Sequence, residues 1–239
     1  MDPKNSLEIK NLSKIYKTNT KTFFSNKVKN EKELYALNNI NLEIKTSDRV
    51  GIIGLNGSGK STLLKIISRV TCPTTGSVLI RGKVSSILEA GTGFNFDLSG
   101  LDNIFISGAI LGMNRNRIQK KLENIIEFSE LGEFIKLPVK KYSSGMKMKL
   151  ALAICVYLDG DIFILDEVMV FSDEKFRKKC ISQIKQTSIS NGKTVLFVSH
   201  DFNNIKEFCN KIAFLENGEL KKFGPTDEII KSYQNSYSI

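Results

Sequence analysis

Short stretches of alternating apolar and polar residues recur in the first third of the chain, and such alternation is typical of half-buried β-strands. Residues 7–12 show it clearly, and we expect them to form an edge strand. Later stretches are apolar throughout, as in parallel sheets that are covered on both faces. Strands are predicted at residues 7–12, 40–44, 48–53, 77–80, 84–88, 162–165, 194–198, 212–215 and 219–221. Asn217-Gly218, between the last two, predicts a hairpin.

Helical periodicity replaces alternation in the middle of the chain. Between residues 100 and 135, apolar side chains recur every three to four positions and polar side chains occupy the other face. Helices are also predicted at 60–69, 144–158 and 176–188. We interpret the 239 residues as one α/β domain, with residues 1–95 and 156–239 as the core and 96–155 as an inserted helical lobe. A polar, lysine-rich insert at 17–34 separates the first two strands.

The segment between the strand at 48–53 and the helix at 60–69 has the spacing G-x-x-x-x-G-K-S. It reads Gly54-Leu55-Asn56-Gly57-Ser58-Gly59-Lys60-Ser61-Thr62, and we call it the phosphate loop. Its glycines let the backbone curl so that successive N–H groups point inward, and the following helix N-terminus adds partial positive charge. Lys60 is expected to reach the β- and γ-phosphates of a nucleotide, and the Ser61 hydroxyl is expected to bind Mg²⁺.

Two acidic residues and a histidine follow the apolar strands. Asp166 and Glu167 come directly after the strand at 162–165. Asp166 suits Mg²⁺ opposite Ser61, usually through water, and Glu167 can orient and polarise an attacking water. His200, the only histidine in the chain, follows the strand at 194–198. Ligands of open parallel sheets bind beyond the carboxyl ends of the strands, so a γ-phosphate could accept its N–H.

A second anion site is predicted where the helix at 144 begins. The sequence there is Tyr142-Ser143-Ser144-Gly145-Met146, and serine and glycine at a helix N-terminus favour anions. Because the chain already has one phosphate loop, the second site needs a partner. We expect a two-fold dimer, with each nucleotide between 54–62 of one copy and Ser143 and Gly145 of the other. The alternative is that Ser143 is an ordinary helix N-cap.

The composition restricts the partners and the environment. The net charge is +10, and most of the cations are lysine. Three explanations for this excess are compositional drift, an anionic membrane surface nearby and nucleic acid binding. Nucleic acid binding is disfavoured, because proteins that bind nucleic acid often favour arginine over lysine. No run of about 18 apolar residues occurs, so we expect any membrane contact to be peripheral. The four cysteines form no C-x-x-C pair, which favours reduced structural thiols.

The chain resembles the ATPase subunit of ATP-binding-cassette transporters over its whole length. The resemblance is carried by the order of five features along the sequence: the phosphate loop, residues 142–146, the two acids, Asp173 and His200. The resemblance implies a P-loop NTPase fold with a mainly parallel sheet, an antiparallel β subdomain and the helical lobe. It implies ATP and Mg²⁺ as ligands, a homodimer of the subunit and a separate integral-membrane permease. It also implies that Tyr16 stacks on adenine, with Tyr35 as the second choice.

Several segments are more specifically similar to bacterial polysaccharide exporters, which move O-antigen, teichoic acid or capsule. These segments are 86–104, the insert at 17–34, and residues 142–146, which we call the signature segment. This resemblance implies an ATPase that powers export of a lipid-linked polysaccharide, with the polymer handled mainly by the permease. It implies a peripheral protein at the cytoplasmic face of the bacterial inner membrane, without nucleic acid.

The sequence departs from the family pattern at two places. No glutamine stands at the position where most cassettes have one, and Glu89 or Ala90 lies near that place. The residues before Asp173 are larger than usual, Val170, Phe171 and Ser172. The first departure leaves the sensing of Mg²⁺ and the γ-phosphate without an assigned residue, and the second could alter contacts between subunits without removing Asp173.

Two other classes of protein fit the sequence less well than a transport ATPase does. A cassette that acts on ribosomes or DNA usually has two cassettes or long coiled coils, and neither is present. A P-loop GTPase or kinase does not account for the signature segment or for His200. If the chain is a transport ATPase, we expect residues 86–96 to contact the permease through Phe94 and Phe96. The alternative is that both rings pack under the helical lobe.

Overall fold

The computed structural model describes residues 5–18, 32–87, 90–166, 173–199 and 202–237. Two compact units are formed, Met1–Arg81 with Leu196–Ile239, and Gly82–Val195. The strands are β1 (Asn5–Thr18), β2 (Lys32–Lys45), β3 (Arg49–Ile53), β4 (Thr75–Ile80), β5 (Val84–Ser86), β6 (Ile162–Asp166), β7 (Thr194–Val198), β8 (Lys211–Glu216) and β9 (Glu219–Pro225). The helices are α1 (Lys60–Ile67), α2 (Gly100–Ile110), α3 (Arg115–Ser129), α4 (Ser144–Val156), α5 (Glu174–Asn191), α6 (Phe202–Phe208) and α7 (Thr226–Tyr237).

The first unit contains an antiparallel sheet of three strands in the order β2-β1-β4. Ile9 of β1 lies opposite Leu42 of β2 on one side and Val78 of β4 on the other. The prediction that residues 7–12 form an edge strand is therefore wrong, because β1 is the central strand. Alternation reports which face of a strand is buried, whereas the number of neighbouring strands depends on pairing with residues far away in sequence.

The first unit also contains strands that carry the phosphate loop. β3 pairs in parallel with β8, β8 pairs antiparallel with β9, and the C-terminal half of β7 lies beside β3. The predicted hairpin between β8 and β9 is confirmed. Asn217 and Gly218 have φ angles of 49° and 77°, which is the conformation of a two-residue turn that twists with its strands. Helix α1 buries its apolar side, Leu63, Leu64, Ile66 and Ile67.

The second unit is mostly helical. β5 and β6 pair in parallel, and helices α2, α3, α4 and α5 complete the unit. Serine, asparagine or aspartate side chains cap the helix N-termini, with Ser99 and Asp102 forming a capping box on α2. The predicted helical lobe at 96–155 corresponds to α2, α3 and α4. The boundaries predicted for this lobe differ from those of the two compact units. The division of the chain into a core and a helical lobe therefore stays a prediction.

Some of the predictions made from the sequence concern residues that the structure does not describe. Most of the insert at 17–34 lies outside the described residues, and its flanking strands pair with Thr18 opposite Lys32. The strand predicted at 84–88 ends at Ser86, and Leu88 is not described. Across the described part of the chain, no helix is both long enough and apolar enough to cross a membrane. None of the four cysteines, all of which lie in the described part of the chain, forms a disulfide, and Cys72 alone among them is exposed.

Candidate functional site

The phosphate loop connects β3 to α1, and its glycines have backbone conformations that other residues adopt with difficulty. Gly54, Gly57 and Gly59 have φ angles of 151°, 80° and 100°. A Cβ atom at Gly54 would lie 2.1 Å from the carbonyl oxygen of Leu215, so this position has no room for a side chain. The crest of the loop, including Gly57, is exposed to solvent. Glycine therefore shapes the loop at Gly54 and Gly59, the two positions that the motif requires, and also at Gly57.

Helix α1 begins inside this loop, and the backbone N–H groups of its first turn have no acceptor within the helix. Its N-cap is Gly59, which lies in the left-handed region, and no side chain among the described residues caps this helix. The first N–H that bonds within the helix is that of Leu63, which donates to Gly59 O. The amide groups of the first turn consequently have no helical acceptor and carry the positive end of the helix dipole. This arrangement fits a phosphate group.

Two side chains of the loop also fit an anionic ligand. Lys60 is almost buried, and its Nζ donates to the carbonyl oxygens of Gly54 and Leu55 at 2.8 and 2.9 Å. The hydroxyl of Ser58 is buried and has no hydrogen-bond partner among the described residues. A buried hydroxyl without a partner is uncommon in proteins and indicates that a ligand or water completes its bonding. Ser61, in the first turn of α1, is exposed.

The hairpin turn between β8 and β9 is hydrogen-bonded to the phosphate loop. The N–H of Gly218 donates to Ser58 O at 3.2 Å, and Gly218 O accepts from the N–H of Asn38 at 2.8 Å. Sequence reasoning predicted this turn but assigned it no role at the loop. In the sequence, the Asn217-Gly218 pair indicated the turn but not its hydrogen bond to Ser58, because that bond joins residues far apart in the chain.

The signature segment lies at the start of α4. The Oγ of Ser143 accepts from the N–H of Met146 at 3.2 Å, so Ser143 is a helix N-cap, as in the alternative considered above. Tyr142 is buried, its hydroxyl donates to Phe134 O at 2.7 Å, and burial raises its pKa. Ser143 and Ser144 are exposed. Tyr142 therefore anchors the segment, while the N–H groups of Ser144 and Gly145 remain without a helical acceptor.

The remaining predicted site residues are described only in part. Asp166 is the last residue of β6, but its side chain, Glu167 and His200 lie outside the described residues. Glu89 and residues 170–172 also lie outside them. The Oδ1 of Asp173 accepts from the N–H of Phe176 at 3.1 Å, which caps α5.

The two aromatic candidates for base stacking lie on the long antiparallel strands. Tyr16 of β1 has 39% of its surface exposed, and the Nζ of Lys14 lies 5.2 Å from its ring centroid. Tyr35 of β2 is 50% exposed. Both rings are accessible, so exposure does not distinguish them.

An exposed apolar region lies near the predicted permease-contacting segment. Phe94 is half-buried and Phe96 is 51% exposed, so the alternative that both rings are buried under the lobe is wrong for Phe96. The Nζ of Lys147 lies 4.9 Å from the Phe96 ring centroid. Helix α2 and its neighbours form a groove of about 560 Å³, lined by Leu98, Leu101, Asp102, Phe105, Ile106, Ala109, Arg115 and Ile118. Exposed apolar patches of this kind mark contact surfaces in soluble proteins.

Comparison with known proteins identifies relatives along most of the chain. A family model described as ABC transporter matches residues 37–170. The O-antigen export system ATP-binding protein RfbB of Myxococcus xanthus is 43% identical over 85% of this chain and 46% of its own length. The chain thus spans about half the length of that relative. The teichoic acids export ATP-binding protein TagH of Staphylococcus epidermidis is 41% identical over 96% of this chain and 88% of its own.

Solved structures agree with this family. The dimeric post-hydrolysis structure of the ATP-binding cassette MJ0796, bound to ADP and Pi, covers 92% of this chain and 98% of its own. The two folds superpose with a TM-score of 0.73 at 27% identity. The predicted fold, an α/β P-loop NTPase with a mixed sheet, an antiparallel sheet and helices, is confirmed by this likeness together with the observed strands and helices.

Proposed function

The chain belongs to the ABC transporter family of ATP-binding proteins, and from that premise we propose that it hydrolyses ATP to power polysaccharide export through a separate membrane permease. The observation that carries the proposal is the phosphate loop. Its short segment contains helix N–H groups without a side-chain cap, the Lys60 ammonium, and the buried Ser58 hydroxyl, which has no partner among the described residues. Residues 54–62 would bind the phosphates through backbone N–H groups, with Lys60 directed to the β- and γ-phosphates.

Side chains at the ends of α1 and β6 complete the proposed chemistry. Ser61 and Asp166 are the groups we propose for Mg²⁺, and an exposed hydroxyl in the first turn of α1 suits that role. The ion, when bound, neutralises charge on the phosphate oxygens. We assign Glu167 as the group that orients and polarises the attacking water, and His200 as a donor to the γ-phosphate.

A dimer supplies the second half of the site in this proposal. The exposed N-terminus of α4 would place Ser143 and Gly145 against the nucleotide held by the partner copy. The Ser143 hydroxyl caps its own helix through Met146, so it would contribute chiefly by fixing the orientation of the free N–H groups. The cassette MJ0796 was solved as a dimer with ADP and Pi, which supports this arrangement. We propose Tyr16 as the ring that stacks on adenine.

Export of O-antigen or teichoic acid is proposed because the relatives bear those names. The chain would act at the cytoplasmic face of the bacterial inner membrane as a peripheral subunit. Phe96 is an exposed ring within the segment that we predict contacts the permease, and the groove along α2, which is mostly apolar, begins two residues later at Leu98. A cassette acting on ribosomes or DNA is less well supported, because the relatives are export proteins.

Two experiments test the proposal together. The purified chain should hydrolyse ATP in the presence of Mg²⁺, and Lys60→Ala should abolish that activity. A strain of the source bacterium that lacks the chain should retain lipid-linked polysaccharide inside the cell. The wild-type chain should restore export, whereas Glu167→Gln should not. ATP hydrolysis without any export defect, together with sedimentation on ribosomes, would favour the ribosomal alternative.

A permease contact has its own test. Phe96→Ala removes an exposed ring, so its melting temperature and basal hydrolysis should stay near those of the wild type, while co-purification with the permease weakens. Leu79→Ala, which removes a 48% exposed side chain from β4, is the control. Equal co-purification of Phe96→Ala and the wild-type chain would move the contact elsewhere.

A further inference from the structure

Four charged side chains from three helices of the second unit form one cluster that the proposed reaction does not use. The Nζ of Lys149, on α4, lies 2.7 Å from Glu130 Oε2 and 3.4 Å from Asp173 Oδ2. Lys179, on α5, places its Nζ 2.9 Å from Glu130 Oε1. We call Glu130, Lys149, Asp173 and Lys179 the charge cluster. Lys149 is its centre, because it contacts the end of α3 and the cap of α5.

Aromatic rings restrict the two ammonium groups further. The Nζ of Lys149 lies 5.1 Å from the ring centroid of Phe176, and the Nζ of Lys179 lies 4.5 Å from that of Phe128. The two rings pack edge to face at 5.6 Å. Each cation therefore has a carboxylate at hydrogen-bond distance and an aromatic face within reach, which fixes its position better than a surface ion pair alone.

Three groups of the cluster have pKa values shifted toward their charged forms, those of Glu130, Lys149 and Asp173. Hydrogen bonds from Lys149 and Lys179 lower the pKa of Glu130, and the bond to Glu130 raises the pKa of Lys149. The Phe176 N–H, followed by Lys149, lowers the pKa of Asp173. These directions agree with the short distances from Lys149 to Glu130 and Asp173.

The backbone conformation of Glu130 indicates that its carboxylate has a structural role. Glu130 ends α3 with φ 57° and ψ 24°, which is the left-handed conformation that favours glycine at this position. A glutamate there is less favourable than glycine for the backbone. In return, the chain gains a carboxylate that holds two ammonium groups from two other helices.

We infer that Lys149 is a positioning residue, which ties the capping carboxylate of α5 to the helix that begins with the signature segment. Because Lys149 is on the helix that Ser143 caps, a fixed Lys149 side chain links α4 to the first turn of α5. The inference rests on the proposed function, in which Ser143 and Gly145 contact the partner's nucleotide. Loosening the cluster should misplace these groups in the dimer without altering the phosphate loop.

Steady-state ATP hydrolysis by Lys149→Ala tests the inference. We expect kcat to fall about tenfold, since small misplacements of positioning groups have effects of at least that size. The Kd of the isolated chain for ATP should stay within about twofold, because the phosphate loop is unchanged. Lys149→Arg keeps the charge and should restore most of the rate. Lys136→Ala is the matched control, because Lys136 forms an exposed pair with Glu133 in the same unit.

Glu130→Gly separates positioning from simple stabilisation. The substitution removes two partly exposed ion pairs but also relieves an unfavourable backbone conformation, and these effects on stability oppose each other. Its melting temperature should therefore shift by less than about 3 °C, whereas kcat should fall several-fold. Hydrogen exchange gives a readout that needs no hydrolysis. In Lys149→Ala, the Phe176 amide should exchange faster, because its acceptor, Asp173, has lost an anchor.

The outcomes distinguish this inference from the proposed function. If the wild type hydrolyses ATP and Lys149→Ala has the same kcat, the inference is overturned and the proposed function stands. Faster exchange at Phe176 with an unchanged kcat also overturns it, because the cluster would then serve stability alone. If the wild type hydrolyses no ATP, the proposed function fails. In that case unchanged exchange in Lys149→Ala would reject the anchoring of α5 separately.

Discussion

Replacing Lys60 tests the role of the phosphate loop through a single atom. Lys60 Nζ donates to two carbonyl oxygens of the loop, those of Gly54 and Leu55, and the side chain is 8% exposed. An ammonium group in this position is partly desolvated and already oriented at the loop. Lys60→Met removes the charge and keeps the apolar stem, so the buried packing of the side chain is retained.

The expected loss follows from the kind of contact removed. A charge-assisted hydrogen bond between an ammonium and a phosphate contributes about 2–3 kcal/mol in a site of this type. This free energy corresponds to an ATP Kd that is roughly 30- to 150-fold higher in the variant. The carbonyl of Leu55 is at an exposed position and can bond to water instead, but the carbonyl of Gly54 is buried and loses this donor, so the melting temperature should also fall by a few degrees.

Isothermal titration calorimetry with ATP and Mg²⁺ measures this effect directly. The control is Lys65→Ala, because Lys65 is an exposed lysine on the same helix, away from the loop. We expect the control to bind ATP like the wild type and Lys60→Met to bind much more weakly. Equal ATP affinity of Lys60→Met and the wild type would refute the assignment of Lys60 to the phosphates.

Three further predictions concern stability, thiol reactivity and pH. Gly54→Ala should lower the melting temperature by several degrees, because its Cβ would lie 2.1 Å from the Leu215 carbonyl oxygen; an unchanged thermal melt would contradict this. In the native chain at pH 8 a thiol reagent should label Cys72 rapidly and the three buried thiols slowly, and rapid labelling of more than one thiol would contradict the fold. The lowered pKa of Glu130 means that its ion pairs contribute stability above the ordinary glutamate pKa and lose it as pH falls through the lowered value. Glu130→Gln should therefore show a shallower loss of melting temperature below pH 4.5 than the wild type, and parallel curves would exclude this contribution.

Local features of the site could be predicted from the sequence because their causes are local. The glycine spacing of the phosphate loop, the helix that follows it and the turn at Asn217-Gly218 each depend on neighbouring residues. The structure has them at the predicted places. The capping of α4 by Ser143 was raised only as the alternative to a nucleotide contact, and the contact with a partner copy stays a prediction.

Features that depend on contacts between distant segments were missed. The central position of β1 depends on pairing with β2 and β4, and alternation in β1 carries no information about those partners. The bond from Gly218 to Ser58 and the charge cluster around Lys149 join residues from separate helices, strands or loops. A lysine or a glycine at such a position looks ordinary in the sequence, because its role arises only when the chain has folded.

Trapping the nucleotide-bound dimer tests the central claim most directly. Glu167→Gln should bind ATP and Mg²⁺ through an intact phosphate loop but fail to activate the attacking water. Size-exclusion chromatography with light scattering should then find a monomer without nucleotide and a stable dimer with ATP, containing two ATP molecules per dimer. A monomer with bound ATP, or hydrolysis by Glu167→Gln at the wild-type rate, would contradict the proposed two-fold site.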